Sequence, residues 1–323
     1  LKLVGGARLE QTNVKAEGPL SDPTRNYRQD SGGNVMMDDK GRPILLAPAG
    51  NPLGISQITY LERGSRATKE YLRWFPSLNA SYNISDNLIA RAAYYQSIGR
   101  PNFNQYAGGV TLPDTELPPS SANRIRVNNV AIKPWLARTV KVRLENYFKG
   151  VGQLSIGAFR RDFEGFFGSA AFNATPQFLA LYSLDPTIYG DYSVATQMNL
   201  SQSVRMTGAD VNYKQALTFL PSWARGVQVL GNISTLRAMG PAEANFSGFV
   251  PRTYNWGFSL NRQRYVVRMN WSYKGRQRNG VVVTGRGIEA GTYNWTGAWT
   301  RLNLQAEDNL GRHYALFLSG KNV

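Results

Sequence analysis

Between Arg252 and Gly275 the chain reads RTYNWGFSLNRQRYVVRMNWSYKG, and apolar side chains take every second place. Tyr254, Trp256, Phe258 and Leu260 alternate with Thr253, Asn255, Gly257, Ser259 and Asn261. Beyond Arg262, Gln263 and Arg264, the residues Tyr265, Val267, Met269, Trp271 and Tyr273 alternate with Arg268, Asn270, Ser272 and Lys274. A period of two belongs to strands, and a three-residue break between two such runs predicts an antiparallel hairpin. Aromatic residues close both ends of the second stripe, Tyr265 at one and Tyr273 at the other. At ~3.4 Å per residue and a ~40° tilt they stand about 21 Å apart across a membrane, the height of a lipid-facing band. A soluble sandwich also accommodates one such hairpin, so repetition along the chain has to decide.

The pattern repeats. Strands are predicted at Leu1 to Glu10; at Leu78 to Ile84 and Leu88 to Tyr95 around Ser85, Asp86 and Asn87; and at Thr139 to Glu145 and Leu154 to Ala158 around Lys149 to Gly152. Others are expected at Val211 to Phe219 and Val227 to Ile233 around Pro221 to Gly226, and at Arg301 to Gln305 and Tyr314 to Leu318 around Asp308 to Arg312. Between these hairpins lie long stretches rich in Gly, Pro, Asn and Asp: 13–66, expected to hold a small hairpin of its own, then 101–135, 165–203, 240–251 and 278–296. The helix signal is confined to Thr175 and Pro176 ahead of QFLALYSL, with a restart at Asp185 and Pro186 that Gly190 ends.

Eleven strands joined alternately by short turns and long loops have the asymmetry of an outer-membrane barrel, in which short turns face the periplasm and long loops face outward. A sandwich has no reason for it. Tyr147, Phe148, Phe219, Trp223, Tyr265 and Tyr314 fall near the short turns, and Tyr94, Tyr254 and Tyr273 near the far ends. The expected fold is therefore all-β: an antiparallel transmembrane β-barrel, of which 1–323 is a single partial domain with its strands in consecutive order. Leu1 to Glu10 would form one edge of an open, curved sheet and His313 to Val323 the other. A bilayer does not tolerate two unpaired edges, so further strands are expected on both sides.

Composition narrows the function. In 323 residues, 18% charged and 42% hydrophobic, no run approaches the ~18 apolar residues of a membrane helix, so a membrane reading rests on strands. The opening LKLVGGARLE has neither a methionine nor an apolar signal core, so an export signal is expected elsewhere. With no cysteine and one histidine, His313, the chain lacks thiol nucleophiles, disulfides, common zinc sites and most His-based catalysis; no enzyme, metal or cofactor is expected. The net charge of +16 is spread over strands and loops, which suits a pore wall or anionic headgroups and not nucleic acid. Eight Asn-x-Ser/Thr triplets, among them those at Asn79, Asn83, Asn232 and Asn270, follow from alternation on a polar strand face and need no glycan. Asp162 and Glu164 share a strand face, which is read as polar and lumenal and not as a catalytic pair.

The segment FPSLNASYNISDNLIARAAYYQSIGRPNFNQY, Phe75 to Tyr106, resembles the strand-turn-strand unit of TonB-dependent outer-membrane receptors, with Leu78, the Asp86-Asn87 turn, Arg91 to Tyr94 and the Arg100-Pro101 pair. NNVAIKPWLARTVKVRLENYF, Asn128 to Phe148, is similar to the segment N-x-x-L-K-P that leads that family into a strand ending E-Y-F, with Ile132 for leucine. Gly208 to Tyr213 looks like its G-x-E segment with Asp210 for Glu, and the closing GKNV resembles the N-L segment before the last hairpin. The resemblance implies a 22-stranded barrel filled by an N-terminal plug, with the plug, the first strands and the final strands lying outside 1–323. It also implies import of a scarce siderophore, cobalamin or glycan ligand with energy passed by TonB, in contact with outer-membrane lipid. A passive porin or surface adhesin on a similar barrel is the alternative. The polar-face cations Arg91, Lys141, Arg143, Lys214, Arg268 and Arg301 would face the lumen and the plug. By the family's habit, ligand contacts would come from loop aromatics and cations, here Phe103, Tyr106, Arg124, Arg126, Trp135, Tyr182, Tyr189 and Tyr192.

Overall fold

The structure is a computed structural model. It describes all residues except 104, 106–108, 130, 149–150, 223, 225, 283–286, 290, 311–313 and 323, and omits the side chains of 62–65 and 67. Tyr106, Trp223, His313 and Val323 thus lie outside the described residues. In chain order the strands are β1 (Lys2–Ser21), β2 (Tyr60–Ser85), β3 (Leu88–Gly99), β4 (Val110–Thr111), β5 (Ile125–Val127) and β6 (Trp135–Phe148). They continue with β7 (Gly152–Glu164), β8 (Phe167–Asn173), β9 (Ser193–Asn199), β10 (Val204–Ala216), β11 (Val227–Met239) and β12 (Arg252–Asn261). The last are β13 (Tyr265–Lys274), β14 (Gln277–Val281), β15 (Tyr293–Thr296), β16 (Trp299–Asn309) and β17 (Ala315–Lys321).

Eleven of these, β1, β2, β3, β6, β7, β10, β11, β12, β13, β16 and β17, form one wall in consecutive order, and every neighbouring pair in it is antiparallel. The wall matches the sequence expectation. The remaining short strands, read from sequence as loop, belong to the long connections. There the strictly antiparallel expectation fails: β1 pairs β4 in parallel at Leu20 and Ser21, and β5 pairs β9 in parallel. The edge expected at the first strand is correspondingly extended near Ser21, where the sheet runs on through β4, β5, β9 and β8.

Cross-strand register shows which side chains share a face. Ala80, Ala92, Val142, Ala158 and Ala209 are successive partners in one lateral row, which ends in Thr235 and Arg252 on β11 and β12. A lower row runs Leu304, Met269, Phe258 and Val229, and ends in Gln215 and Gly152 at the turns. The apolar band therefore crosses the rows on a diagonal. That is the geometry of tilted strands crossing a flat hydrocarbon layer, because rows perpendicular to the strands climb while the band stays level. Stacked cross-strand aromatics, Tyr254 on Tyr273 at 5.1 Å and Trp256 on Trp271 at 6.3 Å, belong to the same face.

Burial confirms the assignment. Val140, Val142, Leu144 and Ile156 each leave 42–51% of their area open, and among the described residues no element packs over the stripe they form. A soluble β-domain would bury that stripe at ~25 cal/mol per Å2. The compact cores lie instead at the loop end. Leu20, Val110, Ile125 and Val194, all at 0% exposure, join Leu179, Leu184, Tyr189 and Tyr192 in one core. Ala137, Phe163, Val204, Ala244, Phe246 and Tyr293 form a second, joining the upper ends of β6, β7 and β10 to the connections after β11 and β13.

Within these loops, helix α1 (Pro52–Thr59) starts at Asn51, whose side chain accepts from the Gly54 amide, a start missed in the sequence. Helices α2 (Pro176–Leu181) and α3 (Pro186–Tyr189) start where expected, capped by Thr175 and Asp185. The small hairpin expected within 13–66 is a meander bridged at Tyr27 and Leu45, Gln29 and Val35, and Met37 and Pro43. Gly109 allows β4 to meet β1: at φ +69°, a Cβ there would lie 1.9 Å from the Pro19 carbonyl oxygen.

Replacing Val142 by Arg places a charge within the apolar row and should cost ~2–4 kcal/mol in urea unfolding from lipid vesicles. The same change at Asn255, on the opposite face, should cost under ~1 kcal/mol; equal costs would mean the faces are misassigned. The Tyr27 hydroxyl, which ties its meander to the 100–134 connection by donating to Asp114 Oδ2, is raised to about 12, first by burial and then by that bond. Since the neutral phenol makes the tie, its contribution is whole below the ordinary tyrosine pKa of ~10 and is lost as pH rises toward about 12. Limited proteolysis of the meander should accelerate across that window in wild type, whereas Tyr27→Phe should already be cleaved faster at neutral pH.

Candidate ligand vestibule and polar face

Two consequences of the period-two rule shape the site. Side chains at alternate positions of β2 above the apolar band, Lys69, Tyr71, Arg73 and Phe75, share the face opposite Trp74 and Leu72. On β1 their partners are Val14, Thr12, Glu10 and Arg8. A cavity of about 560 Å3 opens beside them, lined by Thr68, Lys69, Glu70, Tyr71, Arg73, Ala131, Lys133 and Pro134. Lys69, Arg73 and Lys133 outnumber Glu70 around it, and Glu70 accepts a hydrogen bond from the Gln11 side chain. Lys69 Nζ donates to the Ile132 carbonyl, which fixes the ammonium at the rim. The buried Tyr71 hydroxyl lies beside Arg100, which is itself held by Glu10 at 2.5 Å and Thr12 Oγ1 at 3.2 Å.

Further down the same face, register makes Arg91 and Arg143 direct partners, an arrangement of like charges that each needs an acid. Glu145 Oε2 supplies one at 2.9 Å from Arg91 Nε, and Asp210 Oδ2 the other at 2.9 Å from Arg143 Nη2. A hollow of about 400 Å3 gathers Arg91, Lys141 and Arg143 with Lys2 and Glu145. Asn255, Asn232, Asn212 and Ser155 form the neighbouring row, which meets Glu145, with the Asn232 amide donating to Asn212 Oδ1 and Asn212 to Asp210 Oδ2. Lys214, Arg268 and Arg301 share this face by alternation but lie on other strands, away from the hollow. None of those three makes an ion pair among the described residues; the Arg301 guanidinium stacks 4.0 Å from the Trp299 ring centroid.

The loop residues expected to touch ligand divide. Phe103 and Arg126 are exposed, the latter donating to the Ala122 carbonyl at 3.2 Å. Tyr189, Tyr192 and Arg124 are buried, Tyr192 donating to the Leu117 carbonyl at 3.0 Å. Burial and the neighbouring Arg126 lower the Arg124 pKa. Tyr182 packs on Phe178 at 5.3 Å and Trp135 on Phe163 at 5.1 Å. These positions brace the loops. The cavity cations Lys69 and Arg73 were missed because they fall between the loop expected at 13–66 and the strand expected from Leu78, although the alternation K-E-Y-L-R-W-F was there to find.

One assignment is corrected. Asp162 and Glu164 are not on the polar face: they follow Ile156, Ala158 and Arg160 on the apolar side, above the band. Asp162 bridges Arg160 at 2.8 Å and Arg205 at 2.7 Å, and Glu164 pairs with Arg138 at 2.7 Å. The alternation alone carried this information.

Among solved structures, a mutant of the ferric enterobactin receptor PfeA of Pseudomonas aeruginosa in complex with enterobactin matches 99% of this chain and 46% of its own, with a TM-score of 0.57 at 15% identity. The siderophore receptor PirA of Acinetobacter baumannii matches 80% of this chain and 38% of its own, with a TM-score of 0.55 at 14% identity. The unliganded ferric citrate transporter FecA matches 81% and 35%, with a TM-score of 0.51 at 15% identity. The chain thus spans less than half the length of each, and likeness at such identity speaks for the fold alone. No curated protein sequence matches this one. The family model for the TonB dependent receptor-like β-barrel covers residues 1–323, and with the eleven-stranded wall and its diagonal apolar band this chain belongs to that family.

Proposed function

We propose that the complete protein is an outer-membrane receptor that imports an anionic small molecule of the metal-chelate, siderophore class, with energy supplied through TonB. The observation that carries this reading is the cavity lined by Lys69, Arg73 and Lys133 at the loop end of the polar face, where a desolvated anion would meet several donors at once. The neighbouring structures bind or carry siderophores and ferric citrate, which supports the same ligand class. In this reading the polar face lines the lumen, with Arg91, Lys141, Arg143, Lys214, Arg268 and Arg301 turned toward a plug domain. The long connections face the exterior and the short turns the periplasm. Phe103 and Arg126, exposed on the loops, are the expected candidates that an arriving ligand reaches first. Further strands pair with the free edges of the wall to close the barrel.

The test is uptake of a radiolabelled ferric siderophore by cells expressing the full-length protein. The double variant Arg73→Gln/Lys133→Gln should lower uptake at least tenfold, about 1.4 kcal/mol, without lowering the amount of folded protein in the membrane. Loss of TonB should abolish uptake. Uptake that persists without TonB would make the barrel a passive pore, and uptake unchanged in the double variant would remove the vestibule from the ligand path.

A further inference from the structure

Of all the asparagines in the chain, Asn279 alone precedes a glycine. The pair lies in β14, where the ladder with β15 slips. Arg278 pairs with Trp295 and Val281 with Tyr293, so that Asn279 and Gly280 together stand opposite Asn294. Two residues against one is a bulge, which leaves the extra residue out of the regular pairing. Gly280 is exposed, and a Cβ built on it would meet nothing within 4 Å. Among the described residues the Asn279 side chain makes one hydrogen bond, from Nδ2 to Thr296 Oγ1 at 2.7 Å, and its carbonyl end makes none.

An asparagine followed by glycine permits an intramolecular reaction that a bulkier neighbour obstructs, because no side chain screens the attacking amide. We infer that Asn279 and Gly280 form a self-modification site, at which Asn279 converts to aspartate and isoaspartate in the folded protein. The Gly280 nitrogen attacks Cγ of Asn279 and gives up its proton; the new N–Cγ bond closes a succinimide, and Nδ2 leaves as ammonia. Water then opens the ring, its OH going to the carbon and its proton to the nitrogen, so neither oxidant nor reductant is consumed. Opening at Cγ restores the main chain with an aspartate side chain. Opening at the other carbonyl carbon reroutes the main chain through Cβ and Cγ and lengthens it by one atom.

The two products act differently on the surrounding loops, because both flanks of the pair are anchored to one core. On one side the Arg278 guanidinium lies against the rings of Phe246, Phe249, Tyr293 and Trp295. On the other, Val281 pairs with Tyr293, whose hydroxyl donates to the Ala244 carbonyl at 2.5 Å and accepts from the Phe246 amide at 2.8 Å. An extra main-chain atom between these anchors displaces one of them, so isoaspartate loosens the tie between the connections after β11 and β13. Aspartate leaves the backbone as it was, and only exchanges a donor to Thr296 for a charged acceptor. Hydrolysis of the ring is irreversible, so the loosened fraction grows with the age of the molecule. The inference uses β14 and its surroundings alone and holds whatever ligand the barrel carries.

The test ages the full-length receptor, folded in detergent, at mildly alkaline pH, and follows tryptic peptides by mass spectrometry, with isoaspartyl methyltransferase labelling to tell the two products apart. The peptide holding Asn279 should exchange NH2 for OH at least tenfold faster than any other asparagine in the same digest, with isoaspartate among its products, and in heavy-oxygen water the new carboxyl should carry the label. Gly280→Val should slow the exchange at least tenfold while the folded barrel, scored by heat-modifiable gel mobility, is unchanged. Limited proteolysis should then cut aged wild type within 240–251 faster than fresh wild type, and fresh Asn279→Asp no faster. Exchange at 279 in the urea-unfolded chain but not in the folded one, a rate equal to that of the other asparagines, or no slowing in folded Gly280→Val would each overturn the site. Equal cutting of aged and fresh protein, or faster cutting of Asn279→Asp, would overturn its effect on the loops.

Discussion

A hydrocarbon layer offers no hydrogen bond, so each backbone N–H and C=O that crosses it has to find its partner on a neighbouring strand. In this chain that requirement is met by long antiparallel ladders from β1 to β17, whose register shifts at Gly18 to Leu20 and at Asn83 to Ser85 and is continuous from β6 to β13. Once the ladder is fixed, side-chain choice reduces to two faces, and the cost of an unpaired arginine in lipid decides which face takes the charges. The diagonal drift of the apolar band is a further result: tilt is required for a barrel to close, and the sequence of each strand is shifted against its neighbour to keep the oily residues level.

Away from the bilayer the rules change, and so does the way the chain is held together. Among the described residues the buried apolar clusters lie at the loop end: two larger ones, and a small one that joins Ala16 of β1 to Ile132. Arg278 illustrates how tightly they are braced: its guanidinium lies 5.2–5.6 Å from the rings of Phe246, Phe249, Tyr293 and Trp295, while its backbone bonds Gly248 and Phe249. A cation held among aromatic faces and shielded from water gains ~2 kcal/mol, enough to order connections that would otherwise fray. The connection after β11 is thereby tied to the one after β13 through a single guanidinium.

How much could be read in advance follows from where each residue sits. Within the band, lipid enforces alternation, and strands such as Thr139 to Glu145 are legible from sequence to within a few residues. Above it both faces meet water or protein, and QTNVKAEGPLS, the upper half of β1, shows no stripe although it pairs with β2 from Gln11 to Gly18 and again at Leu20 and Ser21. That is why a loop was expected at 13–66, and why the part of β2 that carries Lys69 and Arg73, just beyond it, was given no element. Loop aromatics posed the opposite difficulty: Tyr189 and Tyr192 have the composition of ligand contacts, yet a loop with its own core needs large rings, and only the fold separates the two uses. Asn51 and Pro52 carry the same helix-start chemistry as Thr175 and Pro176, but are surrounded by Gly and Pro that mask it.

The hairpin of β8 and β9 belongs to both loop cores at once. At its root Gly168 bridges Ala244, and along its outer edge Val194 lies opposite Ile125 in the other core. Neither connection can then lengthen or shorten without disturbing its neighbour, since the strand that measures one also measures the other. Over evolutionary time such a roof would resist piecemeal exchange. Receptors built this way would acquire new ligands by inheriting or replacing the whole canopy, or by single substitutions at the vestibule rim, while the barrel beneath drifts freely as long as its two faces are kept.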